Sequence, residues 1–302
     1  MKNMWWEEKA RELQDAADKH NTKSFYDGLK AIYGPRANGS TPILAADGKT
    51  LHTGKDEILA RWAEHFQTLL NKQSKITDDA IQATPQLPIL DVLDLEPSLE
   101  EVTKAIKQMS SRKAPGPDGI PAEVYNCGGS HMVTGLTKFF GAFWRKGQVP
   151  QDLKDASIIH LYKRKGNRAQ CDNHRGISLL SIAGKILART ILNRLTSAVA
   201  ERVHPESQCG FRSGRGTADM IFAYRQLQEK CAEQNRPLYT VFIDLTKAFD
   251  TVSRDGLWKL LRKTGCPEKL VAVIQSLHDG MKGRVFDNGK FSEPFDITNG
   301  TK

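Results

Sequence analysis

A chain of 302 residues with 39% hydrophobic and 26% charged side chains has the makeup of a folded globular protein, one large domain or two ordinary ones, and not of a disordered one. No apolar run reaches the length of a membrane span and Met1–Glu8 lacks a signal-peptide core, so an intracellular protein that crosses no membrane is expected. The net charge of +9 is unevenly placed: residues 1–100 carry 12 Lys+Arg against 16 Asp+Glu, residues 101–302 carry 32 against 19, and such a basic body suits a polyanionic partner.

In chain order, Trp5, Ala10, Leu13 and Ala17 recur at helical spacing, and Phe25, Leu29 and Ile32 continue the pattern until Tyr33-Gly34-Pro35 stops it. Residues 35–54 are rich in Gly, Thr and Pro, with Ala46-Asp47-Gly48-Lys49 marking a hairpin turn. A second helix carries Ile58, Leu59, Trp62, Phe66, Leu69 and Leu70 on one face, and the proline-punctuated residues 71–97 read as a linker or extended strap. Ser98-Leu99-Glu100-Glu101 is a capping box opening a helix with Leu99, Val102, Ala105, Ile106 and Met109 as its apolar stripe. A rigid Pro/Gly loop follows at 110–119, then a helix over 132–144. Ala156–Leu161 and Gly176–Leu180 read as the strands of a long-looped hairpin, and residues 182–203 as a long helix ended by Pro205. Beyond the glycine-rich 210–217 a helix is expected to face inward with Met220, Ile221, Tyr224, Leu227 and Cys231. Leu238–Ile243 is a near-continuous β-run, as in a strand buried on both faces, and helices near 254–264 and 268–279 complete the series.

Three constellations carry chemistry. Asp244 ends the apolar run, and a carboxylate there needs a cation or donors to satisfy it; Mg²⁺ is one solution, a capping role for Asp244 with a surface Asp250 the other. The hairpin residues 154–175 hold six Lys+Arg (Lys154, Lys163, Arg164, Lys165, Arg168, Arg175) against Asp155 and Asp172. Such cations can clamp a triphosphate or track a nucleic-acid backbone; for Lys165 and Arg168 a solvated loop is the plainer reading, whereas Arg175 stands at a strand entry. Gly210–Thr217 places Arg212, Arg215 and glycines ahead of a helix, a weak phosphate cradle that is not a P-loop. The five cysteines form no C-x-x-C pair and Cys171-x-x-His174 lacks a second ligand pair, so free thiols in a reducing compartment are expected.

Taken in order, four segments resemble the reverse-transcriptase region of non-LTR (LINE-like) retrotransposons, most closely the RTE-type branch. They are Lys113–Glu123 (KAPGPDGIPAE), Tyr162-Lys163 through Asn173–Ser181 (NHRGISLLS), Pro205–Arg212 (PESQCGFR) with Gly214-Arg215, and Phe242–Asp250 (FIDLTKAFD). The resemblance implies an α/β (α+β) right-hand polymerase. A mainly helical N-terminal extension would span 1–97, and a reverse transcriptase domain 98–302, with fingers to about 236 and the first part of the palm from 237. It implies Mg²⁺ (or Mn²⁺) held by Asp244 and the Leu245 carbonyl, and a triphosphate met by Lys163 and Arg175. Phe249 would lie beneath the incoming sugar, and Arg212, Arg215, Arg164 and Lys165 along the nucleic-acid backbone. The partners implied are an RNA template, a DNA primer and dNTPs. The family's Gln-Gly turn and its aromatic-Ala-Asp-Asp hairpin are not found, the sole Asp-Asp pair is Asp78-Asp79, and Gly176 replaces a common Pro. The expectation is therefore a C-terminally truncated fragment, inactive alone, with a non-catalytic RNA- or DNA-binding remnant as the alternative.

Overall fold

The computed structural model describes residues 2–33, 41–72 and 76–301. The amphipathic pattern of the first stretch forms two helices, α1 (Lys2–Asp18) and α2 (Thr22–Tyr33), separated by a turn at His20, whose φ is +50°. The Gly34-Pro35 stop lies outside the described residues. The hairpin expected around Asp47-Gly48 is present: β1 (Ile43–Leu44) pairs antiparallel with β2 (Leu51–His52). The Asp47 carboxylate accepts the N–H groups of Lys49 and Thr50 at 2.8 and 2.9 Å, and Gly48 supplies the φ of +70° that the turn requires.

Helix α3 (Lys55–Leu70) buries Ile58, Leu59, Trp62, Phe66 and Leu70, and the strap behind it includes the short α4 (Asp78–Gln82). The strap is tied to a distant helix end, Leu87 N–H to Lys263 O and Leu90 N–H to Gly265 O, which satisfies backbone groups no local element could pair. At α5 (Leu99–Lys107) the capping box is formed, with the Ser98 hydroxyl accepting from Glu101 N–H and the Glu101 carboxylate from Ser98 N–H. Then come α6 (Ala122–Cys127), α7 (Gly129–Lys146), β3 (Ala156–Tyr162), β4 (His174–Leu179) and α8 (Ile182–Leu195). The last runs through a wider π-type turn at 196–200 into the short α9 (Glu201–Val203). The chain finishes with α10 (Thr217–Glu233), α11 (Arg254–Lys263), α12 (Glu268–His278), β5 (Lys282–Asp287), β6 (Lys290–Phe291) and β7 (Phe295–Asp296).

The main sheet runs β4-β3-β5-β6, with β7 also on β5. β3 is antiparallel to β4, from Ser157↔Leu179 to Tyr162↔His174, and parallel to β5 through Ile158↔Val285. One core lies among α5, α7, α8, α11 and α12 around Phe140, Trp144, Ile186, Leu187 and Leu270; the other lies under the sheet, where α3 places Trp62 and Phe66 against Ile158, Val285 and Ile297. This mixed helix-and-sheet build agrees with an α/β class. A cavity of about 620 Å³ opens between α8, α11 and α12, walled by Leu192, Leu257, Leu261, Ile274 and Leu277, with Thr301 at its edge.

Two expectations are overturned. Leu238–Ile243 is not a buried strand: it has no regular secondary structure, pairs with no strand among the described residues, and Tyr239, Val241, Phe242 and Ile243 are 82–89% exposed. Apolar β-formers become a strand only where another backbone offers its N–H and C=O groups, and both sides of β3 are taken by β4 and β5. Helix α10 likewise buries none of its residues; Met220, Ile221 and Leu227 are exposed where an inward face was expected, because no element covers that stripe.

Candidate nucleotide and nucleic-acid site

Three stretches distant in sequence meet at the turn 246–250. The turn itself is tight: Lys247 has φ +51°, Asp250 N–H reaches Lys247 O at 3.0 Å, and the Thr251 hydroxyl donates to the same carbonyl at 3.2 Å. It is held from below by the segment 297–301. Thr301 N–H donates to Phe249 O and Gly300 N–H to Val252 O, both at 3.0 Å. Gly300 is required there, since its φ is +78° and a Cβ would lie 2.9 Å from the Phe249 carbonyl oxygen. Arg254, buried at the start of α11, ties both sides together by donating to the carbonyls of Gly300 (3.0 Å), His278 (2.7 Å), Ile297 (2.8 Å) and Asn299 (3.3 Å). With no carboxylate among those four acceptors, burial pulls its pKa down.

The second stretch is the base of the basic hairpin. Lys163 Nζ donates to the Asp172 carbonyl at 2.7 Å, while the Asp172 carboxylate stands 3.9 Å from Lys247 Nζ. Asp172 thus links the hairpin to the turn. Burial lowers the Lys247 pKa, opposed by the attraction of Asp172. Beside them on α3, His65 is pushed down to about 4, mainly by burial and secondarily by Lys247; its Nε2 is buried without a hydrogen-bond partner, as a neutral ring can be. The hairpin strands are fixed on α3 by aromatic packing. Trp62 stacks on His160 at 4.1 Å and 8°, meets His174 edge-on at 4.8 Å, and His160 Nε2 lies 3.1 Å from Asp287.

The third stretch is the glycine-rich loop. Phe211 meets the Phe249 ring edge-to-face at 5.7 Å. Below it Glu206 gathers the two expected backbone contacts: Arg212 donates to Pro205 O at 3.1 Å and approaches Glu206, and Arg215 pairs with the same carboxylate.

The structure therefore brings Lys163 and Phe249 to one turn and Arg212 and Arg215 to its flank. Asp244 and Leu245 precede that turn on the exposed, unpaired segment. Arg175 is exposed on β4 opposite Leu161, and Arg164 (φ +57°) and Lys165 are exposed at the hairpin loop. Among the described residues no group of three or more His, Cys, Asp or Glu side chains is placed to hold a metal ion. Without such a group, the donors present do not fit a two-ion site. Sequence reasoning missed Lys247, His65 and Arg254 as members of this assembly. The Trp62-x-x-His65 spacing on one face of α3 is the signal that could have exposed His65; nothing local marks Arg254, whose position in the first turn of a helix looks like a surface one.

Residues 162–302 match the family model described as reverse transcriptase (RNA-dependent DNA polymerase). Curated relatives agree along more of the chain. It is 28% identical to the probable RNA-directed DNA polymerase from transposon BS of Drosophila melanogaster, over 76% of this chain and 25% of that protein. It is 31% identical to the RNA-directed DNA polymerase from mobile element jockey of Drosophila funebris, over 68% of this chain and 22% of that protein. It is 26% identical to the probable RNA-directed DNA polymerase from transposon X-element of Drosophila melanogaster, over 99% of this chain and 33% of that protein. Residues 162–302 carry a reverse transcriptase domain, similar to those of non-LTR retrotransposon polymerases. It spans about a quarter of the length of the first two of these relatives. No helix among the described residues is long and apolar enough to cross a membrane.

Proposed function

We propose that this chain is part of an RNA-directed DNA polymerase of a non-LTR retrotransposon, of the RTE-type branch, joining dNTPs to a primer 3′-hydroxyl on an RNA template. The observation that carries the reading is the convergence of the hairpin base, the turn 246–250 and the Phe211 loop, three of the four segments on which the family resemblance rests. In this reading residues 98–236 form the fingers and 237–302 the first part of the palm, behind an N-terminal extension of residues 1–97. Lys163 and Arg175 neutralise the triphosphate, Phe249 packs beneath the sugar where a 2′-hydroxyl would clash, and Arg212, Arg215, Arg164 and Lys165 follow the nucleic-acid backbone. Positioning and charge neutralisation are what this part of the chain contributes to the transfer. Reverse transcriptases work with divalent ions, Mg²⁺ or Mn²⁺, and Asp244 with the Leu245 carbonyl would supply only part of the ligand set such ions need.

The test is nucleotide capture. A photoreactive dNTP should cross-link within 162–175 and 244–250 and be displaced by dNTP better than by rNTP; Lys163→Ala with Arg175→Ala should abolish the labelling. Labelling indifferent to both changes would sink the reading. With Asp244 outside any cluster of metal-ligating side chains among the described residues, the 302 residues alone should show no primer extension on an RNA template with either ion. The second reading, a nucleic-acid-binding remnant without catalysis, is favoured by that same carboxylate. It predicts salt-dependent nucleic-acid binding with no dNTP labelling.

A further inference from the structure

Phe211 is 90% exposed and sits at φ +59°, a left-handed conformation that a bulky non-glycine residue rarely adopts. The strain and the exposure have one result: an aromatic ring stands clear of the loop, braced edge-to-face on Phe249 at 5.7 Å, itself 60% exposed. A ring recruited for packing would be buried, and the ring this one meets among the described residues is itself exposed. Gly214 (φ +72°) and Gly216 follow it without side chains to crowd the approach, and the guanidinium groups of Arg212 and Arg215 sit on the same loop, gathered by Glu206. We propose that Phe211, braced by Phe249, is a stacking platform for an unpaired base of single-stranded nucleic acid, with Arg215 serving the adjoining phosphate. Every base has a π-face, so such a platform binds without sequence preference, and cations beside it supply the backbone term. The proposal rests on the nucleic-acid reading above but adds a base-dependent contact on a residue to which that reading gives no role.

The experiment compares two labelled probes at constant salt, a 12-nucleotide oligo(U) and an abasic ribose-phosphate oligomer of the same length, by fluorescence anisotropy with the whole chain. The native protein should bind oligo(U) about tenfold tighter than the abasic oligomer. Phe211→Ala should reduce oligo(U) affinity to the abasic level and leave abasic binding unchanged; Phe211→Trp should retain the difference. Arg215→Ala should weaken both probes alike. A ring this exposed supports no core, so Phe211→Ala is expected to keep the native thermal transition. Equal affinity for the two probes, binding of neither, or a Phe211→Ala effect shared by both would overturn the proposal. So would sedimentation showing that Phe211→Ala abolishes self-association while both affinities stand, since the ring would then be a protein contact. Failure of the polymerase reading is separable: base-dependent binding would persist without dNTP labelling.

Discussion

The runs Ala156–Tyr162 and Leu238–Asp244 are both seven residues of mostly apolar, β-forming side chains, and they end up in opposite states. In the first, β4 and β5 flank the strand, α3 covers one face, and Ile158 is 1% exposed. In the second, Val241 and Ile243 are each 82% exposed and no ladder forms, although a cavity of about 620 Å³ lined by leucines and isoleucines lies nearby, with its edge residue Thr301 bonded to Phe249. Composition supplies the tendency to be a strand; neighbours with free backbone groups decide whether it is one. The functional half of the contrast is that the ordered run presents Lys163 at a fixed place, whereas the carboxylate of Asp244 is carried on the unpaired one.

The comparison can be pressed hardest on the ordered side. Trp62→Ala removes the ring that stacks on His160 and Phe66, and should cost roughly 3–5 kcal/mol in denaturant unfolding, with increased amide exchange in β3 and β4 but none in 238–245. Next, Arg254→Ala strips four carbonyls of their donor and should cost about 2–3 kcal/mol, with a selective rise in proteolysis at 246–252 and 297–301. A uniform loss of structure would contradict that localisation.

Acid gives a smaller effect. The His65 pKa is depressed from 6.5 to about 4 in the folded protein, so its contribution is complete above pH 6.5 and lost as pH falls from 6.5 to 4, where the unfolded chain binds the extra proton. Roughly 1–2 kcal/mol should disappear across that window, less than the full linkage value because the ring is only partly buried. Thermal melts of His65→Gln at pH 7 and pH 4.5 should show a flatter pH dependence. The smallest effect is expected on the unpaired side of the contrast: Ile243→Ser should change stability by less than about 0.5 kcal/mol, as for an exposed residue. A loss above about 2 kcal/mol would mean that the run is buried in solution, with the neighbouring cavity as its seat.

What could be read beforehand was local. The Ser98/Glu101 box, the Asp47-Gly48 turn and the β3–β4 hairpin each declare themselves within a few residues, through a donor-acceptor spacing, a left-handed glycine or an alternating run. The burial of Leu238–Ile243 and of the α10 stripe was misjudged because burial depends on what stands opposite. The meeting of Lys163, Lys247 and Phe211 was legible only as family order. The bridging by Asp172, the brace of Arg254 and the Trp62–His160 stack join residues 75 to nearly 100 positions apart or turn on backbone carbonyls, which leave no side-chain pattern to read.

The parallel pairing of β3 with β5 also sets a timetable. Ile158 meets Val285, and α3 lies against both strands, so the apolar face of Ile58, Trp62 and Phe66 meets β3 about one hundred residues after it is made and waits roughly two hundred for β5 to complete its cover. At about 5–20 residues per second that cover stays incomplete for some 10–40 s on the ribosome. Nascent-chain handling of α3, rather than the stability of the finished sheet, is then the step at which this protein is most easily lost to aggregation.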